Sequence, residues 1–220
     1  MMSILYSPPV AAVINREHAA AKIQSEIREK QRQLAGASHG SADFRSSELH
    51  KTHYLSVGPK QGRFLYSVTR ASRAKNIVEF GTSYGISTLY LAAAAAENQG
   101  HVIGSEYHPE KARKARQNLK DAGLDSLAVI KVGDARETLS DLAGEIDLLF
   151  LDGDKTLYLP MVKMLEERFH PGTLVIADNM ERDAEITRDF AEYIGRTDGN
   201  FVTSMFRFKR SRFSFSIVIN

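Results

Sequence analysis

The sequence predicts a doubly wound α/β sheet, mostly parallel, that ends in an antiparallel C-terminal hairpin and carries a small N-terminal helical cap. Three observations predict it. From Lys75 to Ala177 short apolar runs alternate with segments of helical composition, the pattern of βαβ units whose sheet is covered on both faces. From Phe201 onward aromatic or apolar residues instead alternate with polar ones, as in half-buried antiparallel strands. A length of 220 residues, with 43% hydrophobic and 25% charged, suits one domain with room for an appended segment.

The elements follow in order. Ala11–Leu34 is rich in Ala, Glu, Gln, Lys and Arg, with Val13, Ile14, Ile23, Ile27 and Leu34 at loosely helical spacing. The small, polar stretch Gly36–Ala42 reads as a loop, and Gln61–Ala71 as a second helix with Phe64, Leu65 and Val68 on one side. Strands are predicted at Ile77–Phe80, His101–Glu106, Ala128–Val132, Ile146–Leu151 and Thr173–Ala177. Helices are predicted between them at Ser87–Ala96, Glu110–Ala122, Arg136–Leu142 and Leu157–Phe169. Phe201–Phe208 and Phe213–Ile219, joined by Lys209–Arg212, form the edge hairpin. Residues 1–55 read as the helical cap and 56–220 as the main domain.

Composition excludes several classes. There is no cysteine, so disulfides, thiolate zinc, iron–sulfur clusters and cysteine nucleophiles are out, and any metal must be held by oxygen or imidazole. Lys+Arg 29 against Asp+Glu 27 gives +2, too even to announce a nucleic-acid binder. No apolar run approaches about 18 residues, so no membrane span is expected. The N-terminus MMSILYSPPVAAVINREH lacks a basic stretch before its apolar one, which argues against a secretory signal. A soluble, cytoplasmic protein is expected.

The first strand runs into Gly81-Thr82-Ser83-Tyr84-Gly85 before an Ala-rich helix. Glycines there let the backbone turn tightly and approach a ligand closely. The spacing is not the dinucleotide G-x-G-x-x-G, and Glu79 at the strand end suits a cationic or zwitterionic ligand better than a pyrophosphate. The plain alternative is a glycine-closed turn with no ligand. Glu106 ends the second strand, where an acidic residue accepts ribose hydroxyls in nucleotide-binding α/β folds; it could equally favour the following helix dipole. Asp134, after the third strand, could meet an adenine amino group or simply cap the next helix.

The fourth strand ends in Asp152-Gly-Asp-Lys155 and the fifth in Asp178-Asn179. Neighbouring parallel strands deliver such tips to one crevice, and two carboxylates with an amide oxygen suit a hard divalent cation. Turn and capping roles are the competing reading for Asp152, Asp154 and Asp178.

The segments VEFGTSYGISTLYLA, GSEYHPEKARKARQNLKDAGL, VGDARETL, IDLLFLDGDKTLY and HPGTLVIADN occur in the order and spacing of the class I S-adenosylmethionine-dependent O-methyltransferases. From about Leu55 to Asn179 the chain resembles their cation-dependent branch, the catechol and caffeoyl-CoA O-methyltransferase-like enzymes. The resemblance implies a Rossmann-like methyltransferase sheet over residues 56–220. It implies that Glu79, Gly81, Ser83 and Ser87 line the methionine side of S-adenosylmethionine, that Glu106 holds the ribose, and that Asp134 and Ala135 flank the adenine. Val57, in LSVGPKQGRFL, matches a position whose backbone touches the cofactor, and Asp152 stands beside it too. Asp152, Asp178 and Asn179 match the protein ligands of a divalent cation (Mg²⁺ first, Mn²⁺ or Ca²⁺ otherwise), and Lys155 matches the family's base. The implied substrate is a catechol-like or other vicinal-oxygen small molecule, typically a hydroxylated aromatic, and the implied assembly a homodimer. Methylation of a tRNA hydroxyuridine is the alternative.

The chain departs from the pattern at Leu55, where methionine is frequent, and at Pro171-Gly-Thr173, where Pro-Gly-Gly is commoner. It has no tryptophan to gate a substrate. The hairpin lacks both the Gly-Asp-Gly turn of many relatives and the glutamate of the mammalian catechol enzymes. Arg207, Lys209, Arg210 and Arg212 stand there instead: a solvated tip, an attraction for anionic substrates, or a contact for RNA. The scattered histidines, His39, His50, His53, His101, His108 and His170, are assigned no chemistry, and His170 is expected in the loop before the fifth strand.

Overall fold

A computed structural model describes residues 3–35, 43–180, 185–208 and 211–220. The predicted Gly36–Ala42 loop, His39, and Lys209 and Arg210 of the basic turn lie outside the described residues. Seven strands, β1 (Asn76–Phe80), β2 (His101–Glu106), β3 (Ala128–Val132), β4 (Ile146–Leu151), β5 (Phe169–Ala177), β6 (Phe201–Phe208) and β7 (Ser211–Val218), form one sheet in the order β3-β2-β1-β4-β5-β7-β6. Strands β1 to β5 are parallel, and β7 runs antiparallel to both β5 and β6. The chain leaves β1 for β2 and β3, then returns to β4 on the other side. The crevice for a ligand therefore opens between the C-terminal tips of β1 and β4.

Helices α1 (Pro8–Ala35), α2 (Glu48–Thr52), α3 (Pro59–Ser72), α4 (Ile86–Asn98), α5 (Pro109–Asp121), α6 (Ala135–Thr138), α7 (Tyr158–Leu165) and α8 (Arg188–Gly195) surround the sheet. Alternate residues of the central strands feed opposite faces, because side chains along a strand alternate. Ile77, Leu148, Phe150, Leu174 and Ile176 pack with α1, α3 and α4, while Val78, Leu149, Leu151, Val175 and Ala177 pack with α7 and α8. Both faces are dry, which is why these strands read as unbroken apolar runs. No helix among the described residues is long and apolar enough to cross a membrane.

The structure extends or shortens several predicted elements. Helix α6 stops at Thr138, although Leu139 and Leu142 stay buried. Helix α7 ends at Leu165, and Phe169 and His170 belong to β5, not to a helix and a loop. An irregular step in the β4–β5 pairing between Ile146 and Leu148 accommodates Pro171 and Gly172, the latter at φ +102. The Thr173 hydroxyl, fully buried, closes this irregularity: it accepts from the His170 N–H (3.0 Å) and donates to the Ile146 carbonyl (2.7 Å). Thr173 thus has a job that a glycine could not do. Helices α2 and α8 were not anticipated; α8 buries Phe190 and Ile194, four residues apart, against α7 and the sheet. The hairpin spends its aromatic alternation on α3. Phe64 meets Phe206, Phe208, Phe213 and Phe215 at centroid distances of 5.6, 5.7, 6.0 and 6.2 Å.

The tips of β1 and β4 are tied by a hydrogen bond from the Asp152 N–H to the Phe80 carbonyl (2.8 Å). Gly81 follows at φ +96, and a Cβ there would lie 2.5 Å from the Gly153 nitrogen and 2.6 Å from the Asp152 carbonyl carbon. Gly81→Ala is therefore expected to cost about 2–4 kcal/mol, from a positive φ plus a backbone clash. Gly123, at φ +68 with open space around it, isolates the dihedral cost, and Gly123→Ala should cost only about 1 kcal/mol. Urea unfolding of both variants checks the difference; equal losses would refute the clash.

At the opposite end of the sheet His170 is held between the Pro171 carbonyl (Nδ1, 2.9 Å) and the Asp147 carboxylate (Nε2, 3.0 Å). Both partners only accept, so the ring donates from both nitrogens, and the Pro171 carbonyl and Asp147 raise its pKa above the usual histidine value. The folded protein binds this proton more tightly than the unfolded chain. The pairing therefore stabilises fully below about pH 6.5 and is lost as pH rises through the higher folded-state value. Thermal unfolding followed from below the ordinary histidine value to well above it should show wild type losing its advantage over His170→Gln as pH rises. A gap that does not move with pH would refute this.

Candidate active site

The glycine loop lies between β1 and α4. Glu79 is fully buried; its Oε2 accepts from the Thr82 hydroxyl (2.9 Å) and the Thr88 hydroxyl (2.5 Å). Among the described residues its Oε1 has no hydrogen-bond partner, and neither has the buried Ser83 hydroxyl two residues into the loop. Burial pushes the Glu79 carboxyl up, against the hydroxyls of Ser87, Thr88 and Thr82. Gly85, at φ +83, opens α4 and lets Ala115 of α5 within 3.0 Å of where its Cβ would be. Both glycines are thus required by packing, whether or not a ligand binds. The orphaned oxygens are another matter. Buried polar atoms without partners are rare in native interiors, and a buried carboxylate oxygen beside the glycine loop fits the ammonium of a methionine moiety.

At the β2 tip, Glu106 is buried and accepts from the Ser83 N–H (2.7 Å) and the His108 N–H (2.8 Å), so it fixes the loop across the crevice. Each of its oxygens keeps a lone pair for a hydroxyl. Asp134 caps α6 through the Arg136 N–H (3.0 Å) and pairs with the guanidinium of Arg136 (2.6 Å) and of Arg45 (3.5 Å). Hydrogen bonds from Arg136 hold its carboxyl at about 2. The capping reading describes Asp134 as it stands here. Ala135 is buried beside it, and Val57 buries its side chain in the core between α2 and α3.

The tips of β4 and β5 carry the acidic pair. Leu151 and Ala177 are register partners, and the Asp178 N–H bonds to the Leu151 carbonyl (3.0 Å), so Asp152 and Asp178 leave adjacent strands side by side. Burial drives both carboxyls up; Lys155 opposes this at both, while Asp178 adds to the rise at Asp152. Lys155 Nζ donates to Asp152 Oδ1 (3.2 Å) and to the Tyr158 hydroxyl (2.7 Å), which in turn donates to the Asp178 carbonyl (3.1 Å). Asp178 Oδ1 accepts from the Asn179 N–H (2.6 Å), the Asn179 side-chain amide (3.2 Å) and the Ser211 hydroxyl, and its Oδ2 from Gln61 Nε2 (3.3 Å). Asn179 takes up φ +59 to make the turn.

Among the described residues no three His, Asp or Glu side chains gather as metal ligands. The third oxygen beside the two carboxylates is an amide. Asp152 Oδ2 and Asn179 Oδ1 carry no hydrogen bond to a described residue, and Asp178 Oδ2 carries one. That leaves three oxygen donors for a hard cation, a number that suits a metal completing its shell with water or substrate.

Sequence reasoning missed Gln61, Tyr158, Ser211 and Lys111. Gln61 had a local sign, since Gly58-Pro-Lys-Gln61 opens α3 and the Gln61 Oε1 accepts from the Gly58 N–H (2.7 Å). The others had none. Also unforeseen is a strap, residues 43–54, across the tips of β1 to β3. Phe44 meets Tyr107 edge-on at 5.2 Å, its carbonyl meets His108 Nε2 (3.0 Å), and the Thr52 carbonyl accepts from the Tyr84 hydroxyl (3.0 Å).

Comparison with known proteins bears on this arrangement. The family described as "Methyltransferase domain" matches residues 78–180, from β1 to just past Asn179. The chain is 40% identical over 136 residues to a catechol O-methyltransferase of Niastella koreensis, covering 60% of this chain and 61% of that one. The matched part thus spans under two thirds of that relative's length. It is 33% identical over 163 residues to a probable O-methyltransferase of Mycobacterium tuberculosis, covering 67% of this chain and 69% of that one. Among solved structures it resembles the O-methyltransferase from Bacillus cereus in complex with SAH, with a TM-score of 0.69 at 26% identity, covering 74% of this chain and 82% of that one. The chain belongs to the class I S-adenosylmethionine-dependent O-methyltransferases of the catechol and caffeoyl-CoA type.

Proposed function

We propose that this chain transfers a methyl group from S-adenosylmethionine to a hydroxyl of a catechol-like small molecule, held by a divalent cation at Asp152, Asp178 and Asn179. The observation that carries the reading is the trio of available oxygens at the β4 and β5 tips, next to the unsatisfied acceptors of the glycine loop. When bound, the cofactor supplies a sulfonium methyl electrophile and the cation a Lewis acid that fixes two vicinal oxygens.

The chain's own residues do the rest. Glu79 Oε1 and the Ser83 hydroxyl would receive the ammonium end of the cofactor, and Glu106, kept in place by its N–H contacts, would receive ribose hydroxyls. Asp152 and Asp178 bring opposite charge to the cation, and Gln61 and Ser211 hold Asp178 from behind. Lys155 is placed to take the substrate's proton. In its neutral form the amine has two N–H groups, which Asp152 and Tyr158 occupy, and one lone pair, which is left for the hydroxyl. Relieved of its proton by Lys155, the hydroxyl oxygen would be the nucleophile for the methyl group that the cofactor would supply. Methylation of tRNA draws no support from the relatives, and Lys209 and Arg210 of the basic turn are not among the described residues.

Turnover on a panel of catechols should require S-adenosylmethionine, fall to background with EDTA and return with added Mg²⁺. Full activity under chelation would remove the cation from the proposal. Calorimetry should show S-adenosylhomocysteine binding where NAD does not. Lys155→Ala should lower kcat by about 10²- to 10⁴-fold, the usual worth of a positioned base, with S-adenosylhomocysteine affinity unchanged. An equal loss of cofactor binding would mean that Lys155 acts only by holding Asp152.

A further inference from the structure

Lys111 is a buried cation beside the crevice that the proposed chemistry leaves unused. It occupies the first turn of α5, right after the β2 tip, and is only 3% exposed. Two effects oppose an ammonium there. Burial strips its water, and the first turn of a helix presents the positive end of the macrodipole. It has no hydrogen bond or ion pair with a described residue; its nearest aromatic contact is the Tyr84 ring, 5.3 Å from Nζ to centroid. What it does have is the field of Glu106 and Asp152, the carboxylates at the β2 and β4 tips that flank the cofactor crevice. His50 of the strap and His108 at the start of α5 also feel its charge. Burial lowers the Lys111 ammonium to about 8, so at about pH 7 it still carries its charge.

Glu79, Glu106, Asp152 and Asp178 are all buried or nearly so; Lys155 pairs with Asp152 (3.2 Å), and among the described residues no ion pair reaches Glu106. We infer that Lys111 is a resident counter-cation of this crevice, which shares Glu106 and Asp152 with the cofactor and so sets how strongly the site prefers the sulfonium of S-adenosylmethionine over the neutral sulfide of S-adenosylhomocysteine. The two ligands differ by that one charge and the methyl group that carries it. A fixed positive charge in the same low-dielectric space weakens the sulfonium and leaves the sulfide alone. Removing it therefore acts on one ligand selectively. A lysine that merely fills space, or that hydrogen-bonds the ribose or carboxylate common to both ligands, would act on the two alike.

The inference rests on the cofactor reading above, and the experiment separates the two. Affinities of the full chain for S-adenosylmethionine and for S-adenosylhomocysteine are measured by calorimetry at about pH 7 in wild type, Lys111→Met and Lys111→Arg. Lys111→Met, of similar length and no charge, should raise the ratio of S-adenosylmethionine to S-adenosylhomocysteine affinity about three- to tenfold. Lys111→Arg, which keeps the charge, should leave the ratio within about twofold of wild type. Equal changes in both affinities for Lys111→Met, or a ratio shifted toward the sulfide, would overturn the counter-cation role while leaving the cofactor reading intact. A wild type that binds neither ligand would overturn both.

Discussion

Two carboxylates buried side by side are what the rest of this structure is arranged around. Asp152 and Asp178 leave neighbouring strands in register, and burial together with mutual repulsion disfavours their ionised forms. An unpaired buried charge costs several kcal/mol, so the fold must bring donors to this spot. It does so from four separate elements: Gln61 from the first turn of α3, Lys155 from the turn after β4, Tyr158 from α7, and Ser211 from β7. The antiparallel direction of β7 is part of the solution. Because β7 starts where β5 ends, with Ala177 opposite Ser214, Ser211 reaches past the β5 tip to Asp178, and the Met180 N–H closes onto the Arg212 carbonyl (3.1 Å). A parallel strand there would begin at the far end of the sheet and could not supply that hydroxyl.

The same logic explains the packing beneath the site. Tyr158 is fully buried and uses its hydroxyl in both directions, accepting from Lys155 and donating to the Asp178 carbonyl. Its ring is set edge-on between Phe80 (6.4 Å) and Phe190 (5.6 Å), so α8, which carries no site residue, fixes where that hydroxyl sits. Gly153 belongs to this arrangement too, since a Cβ there would fall 2.4 Å from the Phe80 ring. The Asp-Gly-Asp-Lys run at the β4 tip thus combines a charge, a space for Phe80, a cap for the following turn and the amine.

Much of this was legible in the sequence where the signal is local. The five parallel strands announce themselves because both faces of each are covered, and Asp152, Lys155, Asp178 and Asn179 fall at strand ends, where crevices form. The hairpin showed in its alternation, although β7 begins at Ser211, two residues earlier than expected, and that extension brings in the hydroxyl on Asp178. The rest was not legible, for a physical reason. Gln61 and Asp178 are 117 residues apart, and nothing in the composition of α3 says which strand tip it will meet. Helix α8 is too short for its period to stand out, with two buried apolar positions in eight residues. Asp134 illustrates the opposite difficulty. The carboxylate that one reading gives to adenine and another to a helix cap is, in the folded chain, fully occupied as a cap and an arginine partner.

The glycine loop is steadied from the N-terminal side by a buried acid of its own. Glu17 of α1 is 1% exposed, and burial pushes its carboxyl up. Hydrogen bonds from Tyr54, Arg16 and Lys114 more than offset this, and it remains below the ordinary carboxylate value. Through them α1 grips α5 and the strap at once, because Tyr54 packs at a tilt against Tyr84 of the loop (4.4 Å between ring centroids) and Lys114 lies one turn along α5 from Lys111. Arg16 bonds to Asn118 (2.8 Å), whose amide donates to the Tyr84 carbonyl (2.9 Å). Apolar contacts run the same way: Leu5, Val10, Val13 and Ile14 share one core with Ile77 and Leu148. The core therefore runs without a break across the boundary drawn at residue 55. The segment before it supplies both the wall on which α4 and α5 rest and the tether that positions Tyr84, the ring over which the Lys111 ammonium is held.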